Sequence, residues 1–196
     1  MSEDKIIKDD LKSLIKRFSK SNVVSEIAFN YSKDSIKYVL NTSINDNVFL
    51  KDIAYSDKEL AETTQSIKEK NFYNPLIVRN AVNGLEIILG RKRLLASKAI
   101  GEMEVPVIVK EMSDQETLLT ILVDLKKNRD SNSYEIAKIC KILNEKYGYK
   151  YKDLASILSC SISQISNLVS MLRLPEYMLK EIGKGRFTYG HAKAYI

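Results

Sequence analysis

Apolar positions recur along this chain with two different periods, and the change between them divides it. Near the start, Ile7, Leu11, Leu14, Ile15 and Phe18 return every three or four residues, which predicts one amphipathic helix in a segment rich in Lys, Asp, Asn and Ser. Asn41 to Asn47 reads as a linker. Val48 to Tyr55 is strand-like, and Lys58 to Lys70 is helical, with Leu60, Thr64 and Ile67 on one face. Pro75 to Arg79 predicts a short strand, Asn83 and Gly84 a hairpin turn, and Leu85 to Leu89 the returning strand. A helix follows Gly90 and stops at Gly101, a residue suited to a helix C-terminus. Val105 to Lys110 is a further strand, and Asp114 to Lys127 a helix with Ser113 as its N-cap.

From Tyr134 onward only the helical period remains. The fold class expected is therefore α+β: a small mixed N-terminal domain followed by an all-helical one. Residues 1–46 form a partly helical arm, 47–130 the mixed domain and 131–196 the helical domain. Within the last, Tyr151 to Leu158 is a short helix with Leu154, Ala155 and Leu158 facing inward. Ser159 and Cys160 connect it to a second helix, Ser161 to Leu172, whose buried stripe is Ile165, Leu168, Val169 and Leu172. That is the layout of a helix-turn-helix over 151–172, whose second helix enters the major groove of DNA. Its outer face carries Ser161, Ser163, Gln164, Asn167 and Ser170. Asn and Gln pair bidentately with adenine, and serines bond phosphates or base edges. Two packed helices with a solvated polar face give the same pattern.

Charge sharpens this picture. The chain has 31 Lys and Arg against 25 Asp and Glu, and from Ser133 onward the counts are ten and five. A basic excess in one segment is the electrostatic footprint of a nucleic-acid partner, or a few surplus lysines that serve solubility, and Lys152, Arg173, Lys184 and Arg186 are further candidate contacts. No apolar run is long enough to span a bilayer, and a cytoplasmic location is expected. Cys140 and Cys160 stand apart from metal ligands and read as reduced thiols. His191, the only histidine, has no nucleophile or carboxylate beside it in sequence and reads as structural or DNA-facing.

Several runs, in order, resemble one family. Ser161 to Pro175 is similar to the recognition helix and exit of ParB-type partition proteins. Ile182 to Ala194 resembles their Gly-x-x-Ser/Thr-x-Gly-His-Ala-Arg-Ala segment. Asn74-Pro-Leu-Ile-Val-Arg79 resembles the strand Gln-Pro-Ile-Val-Val-Arg, Glu86 to Ser97 the strand and basic box, and Val105 to Val109 also fits. The resemblance implies a ParB/sulfiredoxin-like N-terminal fold that loads CTP with Mg2+, recognition of a centromere-like double-stranded DNA site, and spreading as a homodimeric clamp. It further implies a ParA-type ATPase partner, which the N-terminal helix with Lys16 and Arg17 would contact, unless that helix only packs on the domain.

The basic box places Gly90, Arg91, Lys92 and Arg93 at a strand-to-helix turn. Gly permits close backbone approach there, and helix N–H groups face an anion. Three cations in a first helical turn oppose the helix dipole, a conflict that a bound phosphate resolves, unless the turn simply faces DNA or solvent. With Asn74 these form the expected nucleotide site. The family's second motif, Glu-Asn-x-x-Arg, falls on Asp124, Leu125 and Asn128, with Arg129 as a substitute one residue on. Asp124 is then the magnesium candidate. Arg91 stands where the family has Glu, Leu95 and Leu125 replace polar family residues, and Ile162 replaces a common arginine. CTP hydrolysis is accordingly expected to be weak or lost, and the DNA site to differ. A sulfiredoxin-like reductase needs a cysteine in the basic box, and a serine kinase an acidic base beside it. Neither is present. A ParB-like regulator without clamp activity stays open, as does whether the chain is naturally short or lacks a C-terminal dimerisation domain.

Overall fold

The computed structural model describes residues 3–20, 23–29, 35–127, 132–187 and 189–192. Helices α1 (Glu3–Phe18) and α2 (Val23–Phe29) precede strands β1 (Lys37–Leu40) and β2 (Ile44–Asn45), which flank a single 3-10 turn. Then come α3 (Asp57–Lys70), β3 (Leu76–Ala81), β4 (Gly84–Leu89), α4 (Arg91–Ala99), β5 (Glu104–Val109) and α5 (Asp114–Lys127). The rest is helical: α6 (Ser133–Tyr147), α7 (Tyr151–Leu158), α8 (Ile162–Ser170), α9 (Glu176–Gly183) and α10 (Tyr189–Ala192).

The strands form one mixed sheet in the order β1-β5-β3-β4-β2. β3 and β4 are the antiparallel hairpin, β5 runs parallel to β3, β1 closes one edge antiparallel to β5, and β2 closes the other parallel to β4. Alternation divides the strand residues between two apolar layers. Leu76, Val78, Ile87, Val105 and Val107 join Leu94 of α4, while Ile77, Ile88 and Ile108 face α5. Reciprocal caps fix two helix starts. Ser56 Oγ accepts from Glu59 N and Glu59 Oε2 from Ser56 N, and Ser113 and Glu116 repeat the arrangement.

Two expectations are corrected. Asn41 to Asn47 is not a linker: it holds the 3-10 turn and β2, and Ile44 and Asn47 are buried. Val48 to Tyr55 is not a strand either. Backbone bonds from Leu50 N to Asn47 O and from Ile53 N to Leu50 O wind it into successive turns, which bury Leu50 and Ile53 and leave Val48 exposed. β1 and β2, moreover, lie within the stretch assigned to an N-terminal arm and belong to the sheet.

One apolar core runs through both halves of the chain. Leu118, Leu119 and Leu122 of α5 cluster with Ile139, Cys140 and Leu143 of α6, Leu154 of α7 and Ile165 of α8. Phe18 of α1 is buried in the same cluster. A second helical cluster, with Ala137, Met171, Leu174, Met178 and Ile182, seats α9 against α6. Burial pushes the Cys140 thiol up to about 12, and both cysteines are free. Among the described residues no single helix is long and apolar enough to cross a membrane.

Candidate nucleotide and nucleic-acid surfaces

The turn from β4 into α4 is built around Gly90, which sits at φ +95°. A Cβ there would lie 2.7 Å from Leu76 Cδ2 and 2.8 Å from Arg93 Nη2 and would displace both side-chain ends, while the backbone angle itself demands glycine. Arg93 donates to the carbonyl of Asn74, and its charge acts on Asp124 of α5. Gly90, Arg93, Asn74 and Asp124 are therefore brought to one end of the sheet. Burial raises the Asp124 carboxyl, against the pull of Lys127 and Arg93.

The other two cations of the box have protein partners, which corrects the picture of three cations awaiting one anion. Arg91 is 7% exposed and holds Asp46 bidentately, while Nη1 donates to the Ile53 carbonyl at 2.7 Å. Lys92 Nζ donates to Glu59 Oε1 at 2.7 Å. Burial favours the neutral Glu59, but bonds from Lys92 and Ser56 outweigh it and hold that carboxyl low. Both cations also lie over the Tyr55 ring. Two carboxylates, at Asp46 and Glu59, thus offset much of the charge that opposes the helix dipole.

Beneath this turn is a cavity of about 50 Å³, lined by Asn47, Tyr55, Gly90, Arg91, Asp124 and Glu135 together with core aliphatics. One or two waters fill such a volume. Glu135 is 2% exposed, and its Oε2 has no hydrogen-bond partner. Burial pushes its carboxyl up to about 7, against Arg91 and Lys92, which favour the charge. Burial also raises the Tyr55 hydroxyl. Glu135 and Tyr55 are residues that sequence reading passed over. The signal for Glu135 was its place four residues before Ile139, on the inward stripe of α6.

The orphaned Glu135 oxygen and the partly buried Asp124 carboxylate suit a hydrated cation. Among the described residues, however, no three His, Cys, Asp or Glu side chains are grouped to hold one. A magnesium ion at Asp124 would need phosphate oxygens and waters to complete its shell. Leu125 supplies no polar atom. Asn128 and Arg129 lie outside the described residues.

The helical half presents a different surface. α7 and the helix from Ile162 to Arg173 meet at 107°, joined through Ser159 in the left-handed region (φ 50°). Lys126 of α5 braces this turn, with Nζ 2.8 Å from Ser159 Oγ. Ile165 is fully buried, whereas Leu168, Val169 and Leu172 are half-buried, and Met171 takes the deep position instead. Ser161, Ser163, Gln164 and Asn167 are exposed along α8. Ser161 and Gln164 also cap the helix reciprocally, Gln164 N to Ser161 Oγ at 3.1 Å and Ser161 N to Gln164 Oε1 at 2.8 Å. Ser170 Oγ donates to Asn167 O. Asn167 thus projects from the middle of α8.

Other candidate contacts are scattered. Lys152 and Arg173 are exposed. Lys184 and Arg186 both pair with Glu181, and Arg186 also approaches Asp57 at 3.7 Å, so these two face the start of α3. His191 is exposed, with its ring 5.4 Å from that of Phe187. Thr188, which precedes the helix of His191 in sequence, lies outside the described residues.

Comparison with known proteins gives a consistent picture. A model of the ParB N-terminal domain matches residues 26–125, and one of the ParB HTH domain matches residues 129–196. The chromosome-partitioning protein Spo0J of Thermus thermophilus is 32% identical over 142 residues, which are 72% of this chain and 52% of that protein. The chain spans about half the length of the curated relatives it matches. Among solved structures, C-terminally truncated ParB of Caulobacter crescentus, complexed to the centromeric parS site, superposes with a TM-score of 0.51 at 23% identity, covering 81% of this chain and 83% of that one. A pNOB8-like ParB N-domain superposes at 0.54 with 17% identity, covering 80% and 77%.

Proposed function

The chain belongs to the ParB family of partition proteins, and on that premise we propose that it recognises a centromere-like DNA site through α7 and α8. One observation carries this reading: a helix-turn-helix whose second helix is buried along Ile165 and Met171 and presents Asn167 outward. Asn167 reads adenine by its paired donor and acceptor, and the exposed Ser163 and Arg173 bond phosphates or base edges. The parS complex of the Caulobacter relative supports this assignment by shared fold. In the cell the chain works as a homodimer on nucleoid or plasmid DNA with a ParA-type ATPase.

A nucleoside triphosphate, CTP by family resemblance, fits at the α4 N-terminus. Arg93 and Asn74 would hold its phosphates beside Gly90, and Asp124 its magnesium ion. A second reading, a DNA-binding regulator without nucleotide-dependent closure, is favoured by Arg91 and Lys92 being engaged by Asp46 and Glu59.

Fluorescence anisotropy with a duplex enriched by the parent chain from a random-sequence library, and a scrambled duplex of the same composition, tests the DNA assignment. The parent chain should prefer the first, and Asn167→Ala should lose about 1–3 kcal/mol of that preference while keeping scrambled-duplex affinity. Failure of the parent to bind either duplex would overturn the reading.

A further inference from the structure

The second helix of the motif carries one large apolar side chain that the fold does not use. Ile162, the first residue of α8, is 54% exposed and lies outside the apolar clusters of the described residues. It takes no part in the helix cap, which Ser161 and Gln164 make between them. At about 100° per residue, the exposed side chains of α8 fall in three rows. Ser163 and Asn167 form the outermost, opposite buried Ile165, with Gln164 on one flank and Ile162 and Ser166 on the other.

A single exposed aliphatic residue is ordinary on a protein surface, so exposure alone carries nothing here. Position does. The recognition helix of a helix-turn-helix contacts base edges through its N-terminal residues, and Ile162 stands at that end. A helical Cβ tilts toward the helix N-terminus, which aims Ile162 ahead of the helix rather than back along it. Its neighbours there discriminate poorly between bases. α8 has no charged residue, serine hydroxyls bond to donors and acceptors alike, and the Gln164 carbonyl oxygen is taken by Ser161 N. Asn167 is left to read adenine by a donor–acceptor pair. The major groove presents one apolar group, the 5-methyl of thymine, and apolar side chains recognise it. An isoleucine among hydroxyls, at the entering end of the helix, has the chemistry for that group and for no other unmodified base edge.

We propose that Ile162 is a specificity-determining residue of this protein, packing on the 5-methyl group of a thymine in the site that α8 recognises. The proposal rests on the DNA reading above and adds a second feature to the site. Ile162 and Asn167 are five residues apart, about 7.5 Å along the helix, or about two base steps of duplex. The thymine therefore lies within about three base pairs of the adenine read by Asn167, and its methyl discriminates against cytosine at that place.

The test takes the duplex enriched by the parent chain from a random-sequence library and replaces each thymine in turn by deoxyuridine, which removes the methyl group and keeps the base pair. Affinities are measured by fluorescence anisotropy for the parent, Ile162→Val and Ile162→Ser. Replacement at one position or more should weaken the parent about fourfold, the contribution of one buried methyl group. Ile162→Val keeps a branched aliphatic surface and should keep that sensitivity. Ile162→Ser should bind the enriched duplex more weakly and, at one such position, bind thymine and uracil forms equally. Because Ile162 is exposed, both variants should melt with the parent. An enriched site without thymine, a parent indifferent to every replacement, or sensitivities that Ile162→Ser shares in full overturn the proposal and leave the DNA reading standing. A parent chain that enriches no sequence and binds no duplex overturns the DNA reading itself, and the proposal with it.

Discussion

The guanidinium of Arg91 grips the carboxylate of Asp46 through two parallel bonds, Nε to Oδ1 at 2.6 Å and Nη2 to Oδ2 at 2.8 Å. The pair ties the first residue of α4 to the loop that follows β2. Breaking such a pair strands a buried cation, at a cost of about 3–5 kcal/mol. Asp46 is 29% exposed, so Asp46→Ala should cost about 3 kcal/mol, the lower end of that range. Urea denaturation measures it, and a loss below about 0.5 kcal/mol would show that the bridge contributes no stability.

Arg93 has a different position, between the Asn74 carbonyl and Asp124. Arg93→Ala should abolish nucleotide binding, measured by calorimetry with CTP and magnesium, and leave duplex affinity within about twofold of the parent. Equal loss of both would make this arginine a DNA contact.

Glu135 gives the fold a pH dependence. Its carboxyl ionises near 4.5 in the unfolded chain and near 7 when folded. Between those values the unfolded state gives up its proton first, so stability falls as pH rises from about 4.5 to 7 and is level above. Glu135→Gln should remove most of that decline and make the protein more stable than the parent at pH 8, by roughly 1–3 kcal/mol, with little difference at pH 4. Asp124 is shifted in the same direction and leaves a residual slope. Parallel stability curves for parent and variant would refute the assignment.

Ser159 holds a left-handed conformation that costs a residue with a Cβ about 1–2 kcal/mol. Ser159→Gly relieves this but gives up the bond from Lys126. The expected net result is a stabilisation of about 0.5 kcal/mol or more, visible as a rise in Tm of a few degrees. A fall in Tm would mean that the Lys126 brace outweighs the backbone strain.

Local signals made much of this architecture legible. Asn83 and Gly84 marked the hairpin, Ser113 marked the start of α5, and the stripe through Ile165 marked α8. What was hidden depends on distant partners. β2 is only two residues long and exists because Ile44 and Asn45 pair with Leu85 and Glu86. Leu50 and Ile53 look strand-like in sequence, yet their spacing of three is that of the turns which bury them. The partners of the basic box, Asp46 and Glu59, lie 45 and 33 residues from Arg91 and Lys92, so nothing local announces them. Glu135 lies on the inward stripe of α6, but only the cavity beneath Gly90 distinguishes it from an ordinary helix carboxylate.

The cluster that joins Leu118 and Leu122 of α5 to Leu143, Leu154 and Ile165 makes the helix-turn-helix a poor subject for transplantation. Grafted onto a foreign sheet, it would leave α6 and α7 without the aliphatic surface of α5, each uncovered leucine-sized side chain costing about 1.5–3 kcal/mol. A chimera that keeps its reading head must therefore carry α5 with it. On the DNA reading, substitutions that retune specificity without disturbing this packing are confined to the outward residues of α8, since Ile165 on the inward side is shared with α5 and α6.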